Sequence, residues 1–163
     1  MGILDKISGA EDVKALNSAE LDQLCKEIRQ QLISVISRTG GHLASNLGIV
    51  ELTVALFNVY DPFSDRILYD VGHQCYVHKL LSGRLGSFSE LRKDGGISGF
   101  PKPDESDADA FVAGHASSAV STALGMARAR TLTGRDYQVA VVLGDGALTG
   151  GMAYEGLNSI GQS

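Results

Sequence analysis

The chain has 163 residues, 44% of them hydrophobic, no tryptophan and a formal net charge of -5. That length is enough for one domain with a real core. A mildly acidic chain with no dense Lys/Arg run is a poor fit to nucleic acid or to a membrane surface, so neither is expected as a partner.

In chain order, Asn17 or Ser18 is a good N-cap. Leu21, Leu24, Ile28, Leu32, Val35 and Ile36 then recur at three- and four-residue spacing, which predicts an amphipathic helix stopped near Gly40-Gly41. A second helix is predicted from about Leu47 to Asn58, ending before Asp61-Pro62. Arg66-Ile67-Leu68-Tyr69-Asp70 reads as a short strand, broken by Gly72-His73-Gln74, and Cys75 to Leu81 resumes as helix. A short helix around Phe88 to Lys93 leads into a long irregular stretch, Asp94 to Asp109, of the kind that often carries function. Ala110 to Ala113 is predicted as a buried strand, Ser117 to Thr133 as a helix of small residues, and Val139 to Leu143 as a buried strand. Helices alternating with short apolar strands predict an α/β fold, a mostly parallel sheet with helices on both faces.

No signal peptide or spanning segment is evident, and Lys6 stands where a myristoylation start needs Ser or Thr. Cys25 and Cys75 lack metal or redox spacing; two reduced thiols in a cytoplasmic protein are expected, with a single disulfide as the alternative.

The chemistry concentrates where the last strand ends. Gly144-Asp145-Gly146-Ala147 follows it, and Gly150-Gly151-Met152-Ala153-Tyr154-Glu155 opens a helix. A strand end followed by a helix start is the usual crevice for a diphosphate in an open α/β sheet. Asp145 adds a hard oxygen ligand for Mg²⁺, which takes one or two carboxylates together with phosphate oxygens. The same residues also make an ordinary turn. Thr149 stands where a dinucleotide fingerprint needs glycine, and no P-loop occurs.

Three of the four histidines directly follow glycine, at Gly41-His42, Gly72-His73 and Gly114-His115, each at a predicted element boundary. Loops there present polar groups to ligands. Gly114-His115-Ala116-Ser117-Ser118 opens a helix and offers backbone amides to an anion, alongside a plain N-cap by Ser117 or Ser118. His78, inside a predicted helix, reads as packing or as a residue supporting the site from behind.

Together these segments resemble the 1-deoxy-D-xylulose-5-phosphate synthases, thiamine-diphosphate enzymes related to transketolase. The matching stretches are Gly40 to Gly48, Asp70 to Lys79, Gly95 to Lys102, Ala113 to Ser118 and Gly144 to Glu155. The resemblance implies a transketolase-like, thiamine-diphosphate-binding fold and a reaction joining pyruvate to glyceraldehyde 3-phosphate. That reaction releases CO₂ and yields 1-deoxy-D-xylulose 5-phosphate for isoprenoid, thiamine and pyridoxal phosphate biosynthesis. By resemblance Asp145 would ligate Mg²⁺, and Gly146 and Ala147 would contact the cofactor diphosphate. His73, Gly114, His115 and Ala116 would line the thiamine diphosphate site. His42 would face the substrate as a proton-transfer or hydrogen-bonding group, and Arg92 is a candidate for an intermediate's carboxylate.

Ala116 stands where the family often has serine, which removes one hydroxyl contact and keeps the backbone amides. The sequence reaches Ser163 without the asparagine that completes the family's metal site, or the later glutamate that activates the cofactor. Residues 1–163 are therefore expected to be the N-terminal part of the diphosphate-binding domain, an incomplete fold. The remainder of the enzyme, as a second polypeptide or a missing segment, would pack against it, in a homodimer by resemblance. A folded fragment inert by itself and the N-terminal subunit of a split transketolase are the alternatives.

Overall fold

The structure is a computed structural model and describes residues 2–112 and 114–162. It divides into two compact units, one of Met1–Asp61 with His73–Gly99, the other of Pro62–Gly72 with Phe100–Ser163.

The first unit is helical: α1 (Ala10–Lys14), α2 (Ser18–Thr39), α3 (Leu43–Leu47), α4 (Val50–Val59) and α5 (Tyr76–Lys79). α2 forms because its start and its stripe agree. The Glu20 amide donates to Asn17 Oδ1 at 3.1 Å, and the Asn17 amide donates back to Glu20 Oε2 at 2.9 Å. This reciprocal pair satisfies two amides that a helix start otherwise leaves bare. Leu24, Cys25, Ile28, Leu32, Val35 and Ile36 are then buried along one face, and Gly40 ends the helix at φ +70°. The helix predicted over Leu47 to Asn58 is two elements, because the chain leaves helical geometry at Ile49, after Gly48 has closed α3. α5 passes into a wider turn, Leu80–Arg84, kinked at Ser82 and Gly83. The helix predicted around Phe88 to Lys93 is instead a 3₁₀ segment, Leu85–Glu90, and Arg92 beyond it sits at φ +63°. His78 is buried with its ring edge-on to Phe57, centroids 5.4 Å apart, so it does pack.

The second unit holds β1 (Arg66–Tyr69), α6 (Ala119–Thr133), β2 (Val139–Val142) and α7 (Gly151–Gly161). β1 and β2 pair in parallel, Arg66 opposite Val139 through Tyr69 opposite Val142. α6 packs on them: Ala119 and Ala123 bury against Leu68, with Met126, Phe111, Val139 and Val141 closing the cluster. α7 approaches α6 closely at Gly156, where a Cβ would lie 2.9 Å from Val120 Cγ1.

The α/β class and the parallel pairing are as the sequence predicts, in a sheet of two strands; helices on both faces are not part of what the described residues show. β2 is half-buried along its length rather than buried. The strand predicted over Ala110 to Ala113 is absent at Ala110 to Val112, and Ala113 lies outside the described residues. Phe111 packs against the Leu68, Ala119 and Ala123 cluster while Val112 is exposed, so packing holds that segment without ladder bonds. Both cysteines are buried, and among the described residues neither is in a disulfide. Among the described residues no helix is long and apolar enough to cross a membrane.

Candidate functional site

Two of the histidines singled out from the sequence meet in the first unit. The rings of His42 and His73 lie edge to face, centroids 5.2 Å apart. The residue that brings them together is Asn46, fully buried on α3. Its Nδ2 donates to the carbonyls of His42 at 2.7 Å and His73 at 2.9 Å, and its Oδ1 accepts from the Tyr76 amide at 2.8 Å. Two carbonyls need donors and one N–H needs an acceptor, so only one orientation of the amide satisfies all three.

Tyr76, also buried, sets the His42 ring. Its hydroxyl lies 3.5 Å from the His42 amide and 3.3 Å from His42 Nδ1. The hydroxyl can accept from the amide, and which partner donates in the Nδ1 contact is set by the tautomer of the ring. Burial holds the His42 pKa below the ordinary histidine value, and the His73 and Arg92 charges push it the same way. Burial in turn raises the Tyr76 phenol, which keeps its proton. Gly41 at φ +135° is required beside them, since a Cβ there would come within 2.9 Å of the Tyr76 hydroxyl. His73 Nδ1 is buried without a hydrogen-bond partner among the described residues.

The second unit holds the remaining candidates. The turn after β2 closes through the Ala147 and Leu148 amides, which donate to the Gly144 carbonyl at 3.0 and 3.2 Å. Asp145 is exposed at its apex. Gly114, Gly144 and Gly146 have neither a left-handed φ nor any atom within 4 Å of a built Cβ. Among the described residues nothing crowds these positions, so the backbone there is open to close approach.

The Gly114–Ala116 segment is tied to this turn: Ser117 Oγ donates to the Ala147 carbonyl at 2.7 Å. His115 and Ala116 are exposed. The start of α6 is capped neither by Ser117 nor by Ser118 but by Asp70, a buried carboxylate at the end of β1. Its oxygens accept from the Ser117 amide at 2.8 Å and the Ala119 amide at 3.0 Å. Among the described residues no group of three or more His, Cys, Asp or Glu side chains could by itself hold a metal ion. A single carboxylate still fits Mg²⁺, which completes its shell with phosphate oxygens and water.

A family model described as 1-deoxy-D-xylulose-5-phosphate synthase matches residues 4–163. The chain belongs to that family. It is 55% identical over 159 residues to the 1-deoxy-D-xylulose-5-phosphate synthase of Natranaerobius thermophilus, covering 98% of this chain and 25% of that protein. It is 56% identical over 161 residues to the synthase of Desulforudis audaxviator, covering 99% and 25%. With the Thermus thermophilus synthase it shares 58% over 160 residues, covering 98% and 26%. The chain thus spans about a quarter of the length of the curated relatives it matches, the N-terminal portion of the family.

Four residues that matter here escaped the sequence reading as contributors to the site: Asn46, Tyr76, Asp70 and Ser117. All four lie inside the matching stretches. A polar residue in the short helix after His42, and an acid ending an apolar strand, were the available signals.

Proposed function

We propose that this chain is the part of a 1-deoxy-D-xylulose-5-phosphate synthase that holds Mg²⁺ and the diphosphate of thiamine diphosphate. The complete protein would condense pyruvate with glyceraldehyde 3-phosphate and release CO₂. The observation that carries the reading is the turn after β2, where an exposed Asp145 stands between two glycines whose backbones face open space. Gly144 and Gly146 leave the turn backbone accessible, so Asp145 would ligate Mg²⁺ while the Gly146 amide faces diphosphate oxygens and Ala147, whose amide closes the turn onto the Gly144 carbonyl, lies beside them. Gly114, His115 and Ala116 would line the same cofactor. Relatives bearing the synthase name support the activity.

When bound, thiamine diphosphate supplies the carbanion chemistry that lets pyruvate lose CO₂ and add to an aldehyde. The protein's own share is to bind, orient and move protons. His42, its pKa lowered by burial, is suited to a hydrogen-bonding or proton-transfer role toward the substrate. His73 has an unspent buried nitrogen, Nδ1, that fits a cofactor hydrogen bond.

The test is made on the complete protein. Asp145→Ala should abolish Mg²⁺-dependent binding of thiamine diphosphate in calorimetry. His42→Ala should lower turnover far more than cofactor affinity. Wild-type cofactor affinity in Asp145→Ala removes that carboxylate from the metal site.

A further inference from the structure

Asp70 and Ser117 are both buried, and the activity just described uses neither. They nevertheless join three chain segments of the second unit. The Asp70 amide continues the sheet by donating to the Val142 carbonyl at 2.9 Å, at the end of β2. Its carboxylate is filled by the Ser117 and Ala119 amides. From there the Ser117 hydroxyl reaches the Ala147 carbonyl, inside the turn that carries Asp145. Helix-start amides attract anions. Here two of them are already taken by a side chain of the protein itself.

Ser117 sits at φ +72°, a conformation that residues with a Cβ rarely adopt. Such strain persists only where the surroundings over-determine it, and it gathers at functional sites. The strained backbone is what lets one serine point its amide at Asp70 and its hydroxyl at Ala147. Gly150 makes room for this: a Cβ there would fall 2.1 Å from Ser117 Oγ.

We infer that Asp70 and Ser117 form a brace that positions the Gly144–Ala147 turn to receive a Mg²⁺-diphosphate group. They are positioning residues and touch no ligand. A further consequence is that the Ser117 and Ala119 amides are already taken by Asp70, which leaves the turn and the Gly114–Ala116 amides for the phosphates. The inference rests on the proposed role of Asp145.

The experiment compares Ser117→Ala, Ser117→Gly and Asp145→Ala in the complete protein. Thiamine diphosphate is titrated calorimetrically with and without Mg²⁺, and each variant is melted without cofactor. Ser117→Ala and Ser117→Gly should both bind the Mg²⁺ cofactor about tenfold more weakly, the scale of one lost hydrogen bond. Ser117→Gly relieves the left-handed strain, so it should melt above Ser117→Ala while binding no better. A merely structural serine would make affinity follow the melting order instead. If the serine variants keep wild-type affinity while Asp145→Ala loses it, the brace is wrong and the metal site stands. If Asp145→Ala keeps wild-type affinity, the site reading fails and the brace falls with it. Asp70→Asn provides a second probe, since its amide would set a donor against one of the two N–H groups. An Asp70→Asn protein that melts like wild type and binds normally also overturns the inference.

Discussion

Asn46 makes three hydrogen bonds from a fully buried position in the first unit, and replacing it tests the local geometry independently of any ligand. Asn46→Ala deletes three hydrogen bonds, of 2.7, 2.9 and 2.8 Å, at a fully buried position. The His42 carbonyl keeps the Ser45 hydroxyl at 3.3 Å, so its loss is partial. The His73 carbonyl and the Tyr76 amide lose a buried partner. At about 1 kcal/mol per net hydrogen bond, more where a buried group is left bare, the loss comes to roughly 2–4 kcal/mol. For a chain of this size that is a fall in melting temperature of roughly 5–12 °C. Thermal and urea unfolding followed by circular dichroism measure it, and NMR contacts between the two imidazoles report whether His42 and His73 stay together. Asn46→Asp should be at least as damaging, because a carboxylate can still accept from Tyr76 but confronts two carbonyl oxygens. Asn46→Ala within about 0.5 kcal/mol of wild type, the range of an ordinary surface change, would refute the clamp. A fully stable Asn46→Asp would refute the amide orientation.

Two other outcomes follow from the same unit. The pKa of His42 is lowered in the fold, chiefly by burial. The unfolded chain therefore takes up a proton there first as pH falls. Stability should hold above about pH 6.5, the ordinary histidine value, and decline as pH drops through the folded value. An NMR titration of the His42 ring checks the direction, and a midpoint above 6.5 would contradict it. Cys25 and Cys75 are buried, and burial raises the Cys25 thiol, with Glu51 pushing the same way. Neither thiol should react with a neutral-pH thiol reagent until denaturant is added; rapid labelling of the native protein would contradict that burial.

Signals that act over a few residues were legible in the sequence. α2 could be read from its Asn17 cap and apolar stripe, and both strands from short apolar runs bounded by polar or glycine residues. The turn bearing Asp145 was readable because glycines punctuate the chain beside β2. His42 and His73 could be named as candidates for the same local reason. The strand predicted near Ala110 failed because a strand needs a ladder partner, which no local pattern supplies.

Partnership across the chain was decided by tertiary structure alone. Asn46 reaches His73 across 27 residues, and Asp70 reaches Ala119 across 49. Asn46 and Asp70 read in sequence as ordinary polar residues, and Ser117 gives no local sign of its left-handed backbone. Burial turned them into structural elements, because a polar group removed from water must find a partner wherever the fold offers one. Periodicity, capping and glycine punctuation thus named α2, α6, the two paired strands and the exposed carboxylate. The groups that hold the histidines and the turn in place emerge only when distant segments pack together.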